Sequence, residues 1–234
     1  MFGIYNGKNL YLPSPFSEWI LDKKDFFRDD PANATNQGVL DSIIDDDESQ
    51  FRELVSPFPG WEKGPNQKFS MTNYKMPELI SNNPTYASLC ALFGAEKCFS
   101  TLAMICPDGI SSEQFRQKDN KDRSPIHFAC AGGNLNIVRM LYEANYNLSM
   151  EDYYGYQPAH YSALAGTTDI MKYLWTKGVN ILDKLKYVMS PFQVACLYGN
   201  LDIIKLICES IDQDDKVLNE YHHIKYFENK AFLT

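Results

Sequence analysis

The stretch that decides the fold is Ser124–Asn147, SPIHFACAGGNLNIVRMLYEANYN. It is followed by two relatives of itself: Gln157–Asn180, QPAHYSALAGTTDIMKYLWTKGVN, and Ser190–Ser210, SPFQVACLYGNLDIIKLICES. Pro125, Pro158 and Pro191 lie 33 residues apart, as do Gly133, Gly166 and Gly199. Ile137, Ile170 and Ile203 keep the same period, and so do Leu141, Leu174 and Ile207. Four columns without a slip define a repeat before any other reading is attempted. Within each unit the proline suits a first helical position, where its missing N–H is no loss. Ser124, Gln157 and Ser190 precede it at the cap. Ala129, Ser162 and Ala195 give the short helix a narrow packed face, and the glycine column ends it in a left-handed turn. A second helix follows with apolar positions at i, i+1 and i+4: Ile137/Val138/Leu141, Ile170/Met171/Leu174 and Ile203/Ile204/Ile207. One such helix pair cannot bury both faces, so stacking into an all-α solenoid is predicted.

A 33-residue unit of this kind, with D-x-x-G-x-T-P-L-H-x-A leading into a second amphipathic helix, resembles the ankyrin repeat. The second unit is the nearest to the pattern, with Asp152, Gly155, Pro158 and His160, and Lys177-Gly178 at its end. The first keeps Asp119, Ser124, Pro125, Ile126 and His127, with Asp122 in place of the turn glycine. The third keeps Ser190, Pro191 and Ala195, but carries Gln193 for His and Val188 for the glycine, which argues against the same β-turn there. Upstream, NPTYASLCALFGAEKCFSTLAMICPDG (83–109) sets Gly94, Cys98 and Leu102 on the repeat columns. The step of 39 from Gly94 to Gly133 implies a six-residue insertion near Pro107–Gln114. Before it, VLDSIIDDDESQFRELVSPF (39–58) reads as one amphipathic helix with Ile43, Ile44, Phe51, Leu54 and Val55 on one face. Together these stretches resemble the N-terminal cap of divergent ankyrin proteins of flagellated and amoeboid protists. The resemblance implies a solenoid of about four to five helix-pair units without known catalytic activity. The expected division is an aromatic-rich arm over 1–35, capping helices and a degenerate unit over 36–117, three repeats over 118–210 and a tail over 211–234.

Lys plus Arg number 22 and Asp plus Glu 30, for a net charge of −8. That balance disfavours nucleic-acid binding. The longest apolar run, Ala87 to Gly94, is too short for a membrane span, and the opening stretch lacks a secretory pattern. The six cysteines are therefore expected as reduced thiols in a cytoplasmic protein, without a C-x-x-C pair. Cys90, Cys98 and Cys106 fit no zinc spacing. No catalytic Ser/His/Asp or Cys/His set, phosphate loop or cofactor motif occurs, so no enzyme, metal or cofactor is expected. Asp45-Asp46-Asp47-Glu48 lacks the alternating ligands of a calcium loop and reads as the solvated side of a helix. His127 and His160 share a repeat column whose role in the family is hydrogen bonding between repeats.

In the family, turn tips and first helices line the concave face. The tip positions here are Asn120, Lys121 and Arg123, then Tyr153, Tyr154 and Tyr156, then Lys186, Tyr187 and Met189. The first-helix positions are Ala131/Gly132, Leu164/Ala165 and Leu197/Tyr198. Tyr, Arg and Met are enriched at protein interfaces, so Arg123, Tyr153, Tyr154, Tyr156, Tyr187, Met189 and Tyr198 are the expected partner-binding residues. The arm adds Phe16 and Trp19 at helical spacing with Ile20, either packed on its own solenoid or docked on another protein. The expected function is a non-enzymatic adaptor or scaffold binding a protein partner through the concave face of the repeats and the N-terminal arm. The alternative is a structural subunit of a large cytoskeletal or axonemal, microtubule-associated assembly, placed at the cytoskeleton or flagellar axoneme.

Overall fold

The computed structural model describes residues 4–5, 8–9, 34–55, 68, 78–106, 108–182 and 188–211. The helices are α1 (Ala34–Ile44), α2 (Glu48–Val55), α3 (Glu78–Ser81), α4 (Tyr86–Phe93), α5 (Glu96–Ile105), α6 (Pro125–Gly132), α7 (Leu135–Glu143), α8 (Pro158–Ala165), α9 (Thr168–Thr176), α10 (Pro191–Leu197) and α11 (Leu201–Ile211), with a 3-10 turn at Gly109–Ser111. A two-residue hairpin, β1 (Ile4–Tyr5) against β2 (Lys8–Asn9), precedes them. Five antiparallel helix pairs result. First helices stack in a row, α1 on α4, α4 on α6, α6 on α8 and α8 on α10. Among second helices, α2 lies on α5, α7 on α9 and α9 on α11. This is the all-α solenoid that the period predicts.

The local reasons follow the repeat. Ser124, Gln157 and Ser190 cap their helices in extended backbone, each with proline next. At the other end Gly94, Gly133 and Gly166 stand at φ of 69°, 81° and 73°, a region that costs side chains with a Cβ about 1–2 kcal/mol. Gly132 answers a different need. A Cβ there would overlap the Leu92 carbonyl oxygen and lie 2.7 Å from its carbon. The first helices of these two units therefore meet backbone to backbone. The second helices bury Ile137, Val138 and Leu141, then Ile170, Met171 and Leu174, each at 1% exposure or less.

The stretch 39–58 departs from the single helix expected. It breaks at Asp45–Asp47, with Asp46 at φ 48°. The Asp47 carboxylate accepts the amides of Ser49 and Gln50 at 3.0 and 3.1 Å and starts α2. The Asp46 carboxylate reaches across the fold and accepts the amides of Lys97 and Cys98, both at 3.0 Å. The residue preceding α5 is Ala95, which has no capping side chain. The acidic run is thus a pair of helix caps rather than a solvated helix side. Apolar periodicity continued through the break because both helices turn the same kind of face to the core: Leu40, Ile43, Phe51 and Val55 are all buried.

Candidate partner-binding site

The tips of the units form a continuous row. The Asn120 amide donates to the Asn82 carbonyl and, one unit on, the Tyr153 amide donates to the Lys121 carbonyl, each at 2.9 Å. One position per tip needs left-handed backbone, met by Asn83 at 53°, Asp122 at 58° and Gly155 at 86°. The glycine missing from the first unit therefore does not remove its turn, since Asp tolerates this region better than most residues. In the third unit, residues 183–187 lie outside the described set, and Tyr187 with them.

An aspartate closes two of these three tips from beneath. Asp119 accepts the amides of Lys121 and Arg123 at 2.8 and 2.9 Å. Asp152 accepts those of Tyr154 and Tyr156, both at 2.8 Å. The Tyr161 hydroxyl donates to Asp152 at 2.6 Å. Burial pushes the Asp152 carboxyl up from its usual range and the Tyr161 phenol well up from its own. Arg123 pairs with Asp119 at 2.6 Å and also bonds Tyr161. Adjacent tips are thereby joined by a buried chain, Asp119–Arg123–Tyr161–Asp152.

The expected site residues separate on this scaffold. Tyr153 and Tyr154 stand at the surface, 63% and 38% exposed. Their rings meet edge to face at 5.3 Å, with the Lys121 ammonium 5.1 and 5.0 Å from the two ring centres. Arg123 and Tyr156, expected at the surface, are interior instead, at 3% and 8%. Arg123 is drawn in by Asp119 and by the Phe128 ring 5.4 Å away, and Tyr156 lies edge-on against His160 at 5.3 Å. The reason is positional. Pro84, Arg123, Tyr156 and Met189 share the column before the cap, where the chain turns inward; Pro84 is buried and Met189 half-buried. Tyr198 is half-buried, Leu197 is 61% exposed, and Ala131 and Leu164 are buried between units. Phe16 and Trp19 lie outside the described residues.

The histidine column sits deeper. The Ser124 and Gln157 amides donate to Nδ1 of His127 and His160 at 3.1 and 3.0 Å. That leaves the proton on Nε2, which donates to the next unit's carbonyls, Met150 at 3.0 Å and Met189 at 2.8 Å. Burial lowers both imidazoles to about 4. Both rings are fully committed to structure.

One cluster escaped the sequence reading. On the second helices Tyr142 and Tyr173 meet at 6.1 Å. Lys177 lies 4.5 and 5.4 Å from their ring centres and Arg139 is 5.7 Å from that of Tyr173. Tyr142 and Tyr173 occupy different repeat columns, so the period does not align them. Among the described residues no three His, Cys, Asp or Glu side chains gather as a metal site would require. A depression between α2 and α5 is lined by Glu48, Glu96, Lys97, Ser100, Thr101 and Met104. Among the described residues, no helix is long and apolar enough to cross a membrane.

The fold is a stack of helical repeats whose second 33-residue unit carries the exposed pair Tyr153 and Tyr154 at its tip. The chain belongs to the ankyrin-repeat family: the family model for ankyrin repeats, in three copies, matches residues 76–184 and 146–219, more than half of its length. Ankyrin repeats are generally protein–protein interaction modules and typically non-enzymatic. No curated protein matches the chain at significant similarity.

Proposed function

We propose that this protein is a non-enzymatic, cytoplasmic adaptor that binds a protein partner through its row of tips, with Tyr153 and Tyr154 at the centre of the contact. The observation that carries the reading is the contrast between these rings and their support. The backbone beneath them is fixed by Asp152 and by the bond to Lys121, while the rings themselves stand 63% and 38% exposed. A rigid aromatic pair offers contact area at little entropy loss on binding. Lys121 adds a charged edge to the same surface. Within the chain we assign the arm over 1–35 and the capping helices over 36–117 a supporting role, and the contact to the repeats over 118–210.

The test is a Tyr153→Ala/Tyr154→Ala double variant used as bait, beside the wild-type chain, in native co-purification read by mass spectrometry. The expected result is loss of the specific partner, with binding weakened by about 1–3 kcal/mol per ring, and a melting temperature within about 2 °C of the wild type, as for surface substitutions. Retention of every partner by the stable variant overturns the reading.

A further inference from the structure

The repeat columns also align charge on the second helices. Arg139, Lys172 and Lys205 fall 33 residues apart on α7, α9 and α11, and all three are exposed. Since α7 lies on α9 and α9 on α11, the three cations form one row across the stack. Lys177, also exposed, stands beside the row where Tyr142 and Tyr173 meet. Its ammonium lies 4.5 and 5.4 Å from their ring centres, and the Arg139 guanidinium 5.7 Å from that of Tyr173. The rings hold both cations in place without neutralising them. Among the described residues the ion pairs are Arg52–Glu48 and Arg123–Asp119, and none of these four cations enters one. In a chain of net charge −8, four gathered cations without a carboxylate partner are open to carboxylates from outside.

We propose that this row takes an extended acidic segment of a partner protein, with a carboxylate at every third residue. Packed helices lie about 8–10 Å apart, and an extended or polyproline chain advances about 3.1–3.4 Å per residue. Carboxylates three residues apart therefore meet successive cations of the row. Tyr142, 37% exposed beside Lys177, offers an aromatic surface to the residues between them. Cations already resting on rings lose less freedom on binding than unsupported ones. The flanking acids decide against a denser polyanion. Asp169 and Asp202 lie one helical turn before Lys172 and Lys205, and Glu143 and Glu209 one turn after Arg139 and Lys205, all exposed. A nucleic-acid backbone or an anionic bilayer meets these acids as well as the cations and is repelled, whereas a single narrow strand lies along the row and clear of them. This surface is separate from Tyr153 and Tyr154, and the proposal does not rest on what the tips bind.

Fluorescence anisotropy of the full chain with a fluorescein-labelled peptide of four Glu-Pro-Ser triplets tests this. Its prolines favour a polyproline helix of three residues per turn, so its glutamates share one side. Saturable binding at low salt is expected, weakening as salt rises, with no binding of the matching Gln-Pro-Ser peptide. An Arg139→Gln/Lys172→Gln variant is expected to bind the glutamate peptide about fivefold more weakly, or worse. Its Tm should stay within about 2 °C of the wild type, as for surface substitutions. Lys97→Gln, at an exposed cation outside the row, should bind as the wild type does, and so should Tyr153→Ala/Tyr154→Ala. No binding of the glutamate peptide, equal binding of the glutamine peptide, or an unchanged affinity in the Arg139→Gln/Lys172→Gln variant overturns the proposal. Equal binding of a peptide with its four glutamates in one run reduces the effect to general attraction and also overturns it. Loss of the peptide from the Tyr153→Ala/Tyr154→Ala variant assigns the peptide to the tips instead. Sedimentation with phosphatidylserine vesicles in place of peptide binding assigns the row to a membrane, and this too counts against the proposal.

Discussion

Two residues, His127 and His160, tie each inner unit to the next and do so only as neutral rings. Protonation would place a second N–H at Nδ1, facing the cap amide that now donates to it. The folded values near 4 lie below the ~6.5 of an unfolded histidine. Between those values the unfolded chain binds more protons, so the stability these rings supply is complete above pH ~6.5 and drains away as pH falls toward 4. The limit is roughly 3 kcal/mol per ring. Asp152, shifted upward by burial, works in the opposite sense at the acid end of the range. Gln193 already shows how glutamine fills this column, its Oε1 accepting the Ser190 amide at 3.0 Å. A His127→Gln/His160→Gln variant is therefore expected to lose about 1 kcal/mol per inter-unit bond at pH 7. It should also lose less than the wild type between pH 7 and pH 5; urea unfolding at both values measures this, and equal losses would refute the assignment. Gly132 makes a second point at this scale. Gly132→Ala should cost about 1–3 kcal/mol or more, because the obstacle is Leu92 backbone and cannot rotate away.

Among elements, α5 is unusual in receiving its cap from another helix pair. Asp46→Ala removes an acceptor shared by two amides and is expected to cost about 0.5–2 kcal/mol, whereas Asp45→Ala, on an exposed side chain, should be near neutral. Chemical denaturation of the two variants side by side checks this. The cap also shows what the sequence could and could not disclose. The repeat columns located Pro125, Gly133, Ile137 and their successors because each unit solves the same packing problem with the same residue types. The 39–58 stretch belongs to no column, and its hydrophobic pattern ran across the break; only the three consecutive aspartates, weak in helix interiors and strong at caps, marked it. The candidate site divides for a similar reason. Counting by 33 aligns Tyr153 and Tyr154 with the tips, where they stand 63% and 38% exposed, yet a period fixes only position, and side-chain direction depends on the local turn. The period therefore puts Arg123 and Tyr156 outside, whereas the Asp119 and His160 columns draw them in. Lys121 shares the Tyr154 column, but its stacking over both rings needs the tips side by side in space.

For the whole molecule, the decisive property is that every unit's stability is borrowed from its neighbours. Leu174 lies on α9, between α7 and α11, and is fully buried. Ile207 is as deeply buried but lies on α11, the last described helix. Truncation to alanine removes comparable apolar volume at both sites, about 2–5 kcal/mol each, so side-chain burial alone predicts equal effects. The stack predicts unequal ones. Stability along a solenoid sums intrinsic terms and nearest-neighbour interfaces, and Leu174→Ala weakens a unit that has an interface on either side. Its loss should reach α6–α7 and α10–α11 together, lowering amide protection across the array. Ile207→Ala weakens a unit with only one repeat neighbour, and its effect should stay within α10–α11 while α6–α9 keep wild-type protection. Native-state hydrogen exchange resolved by helix distinguishes the two patterns. Confinement of the Leu174→Ala effect to α8–α9 would mean that the units fold independently, and the tips, which depend on bonds such as Tyr153 N–H to the Lys121 carbonyl, would then have no common frame to hold them in a row.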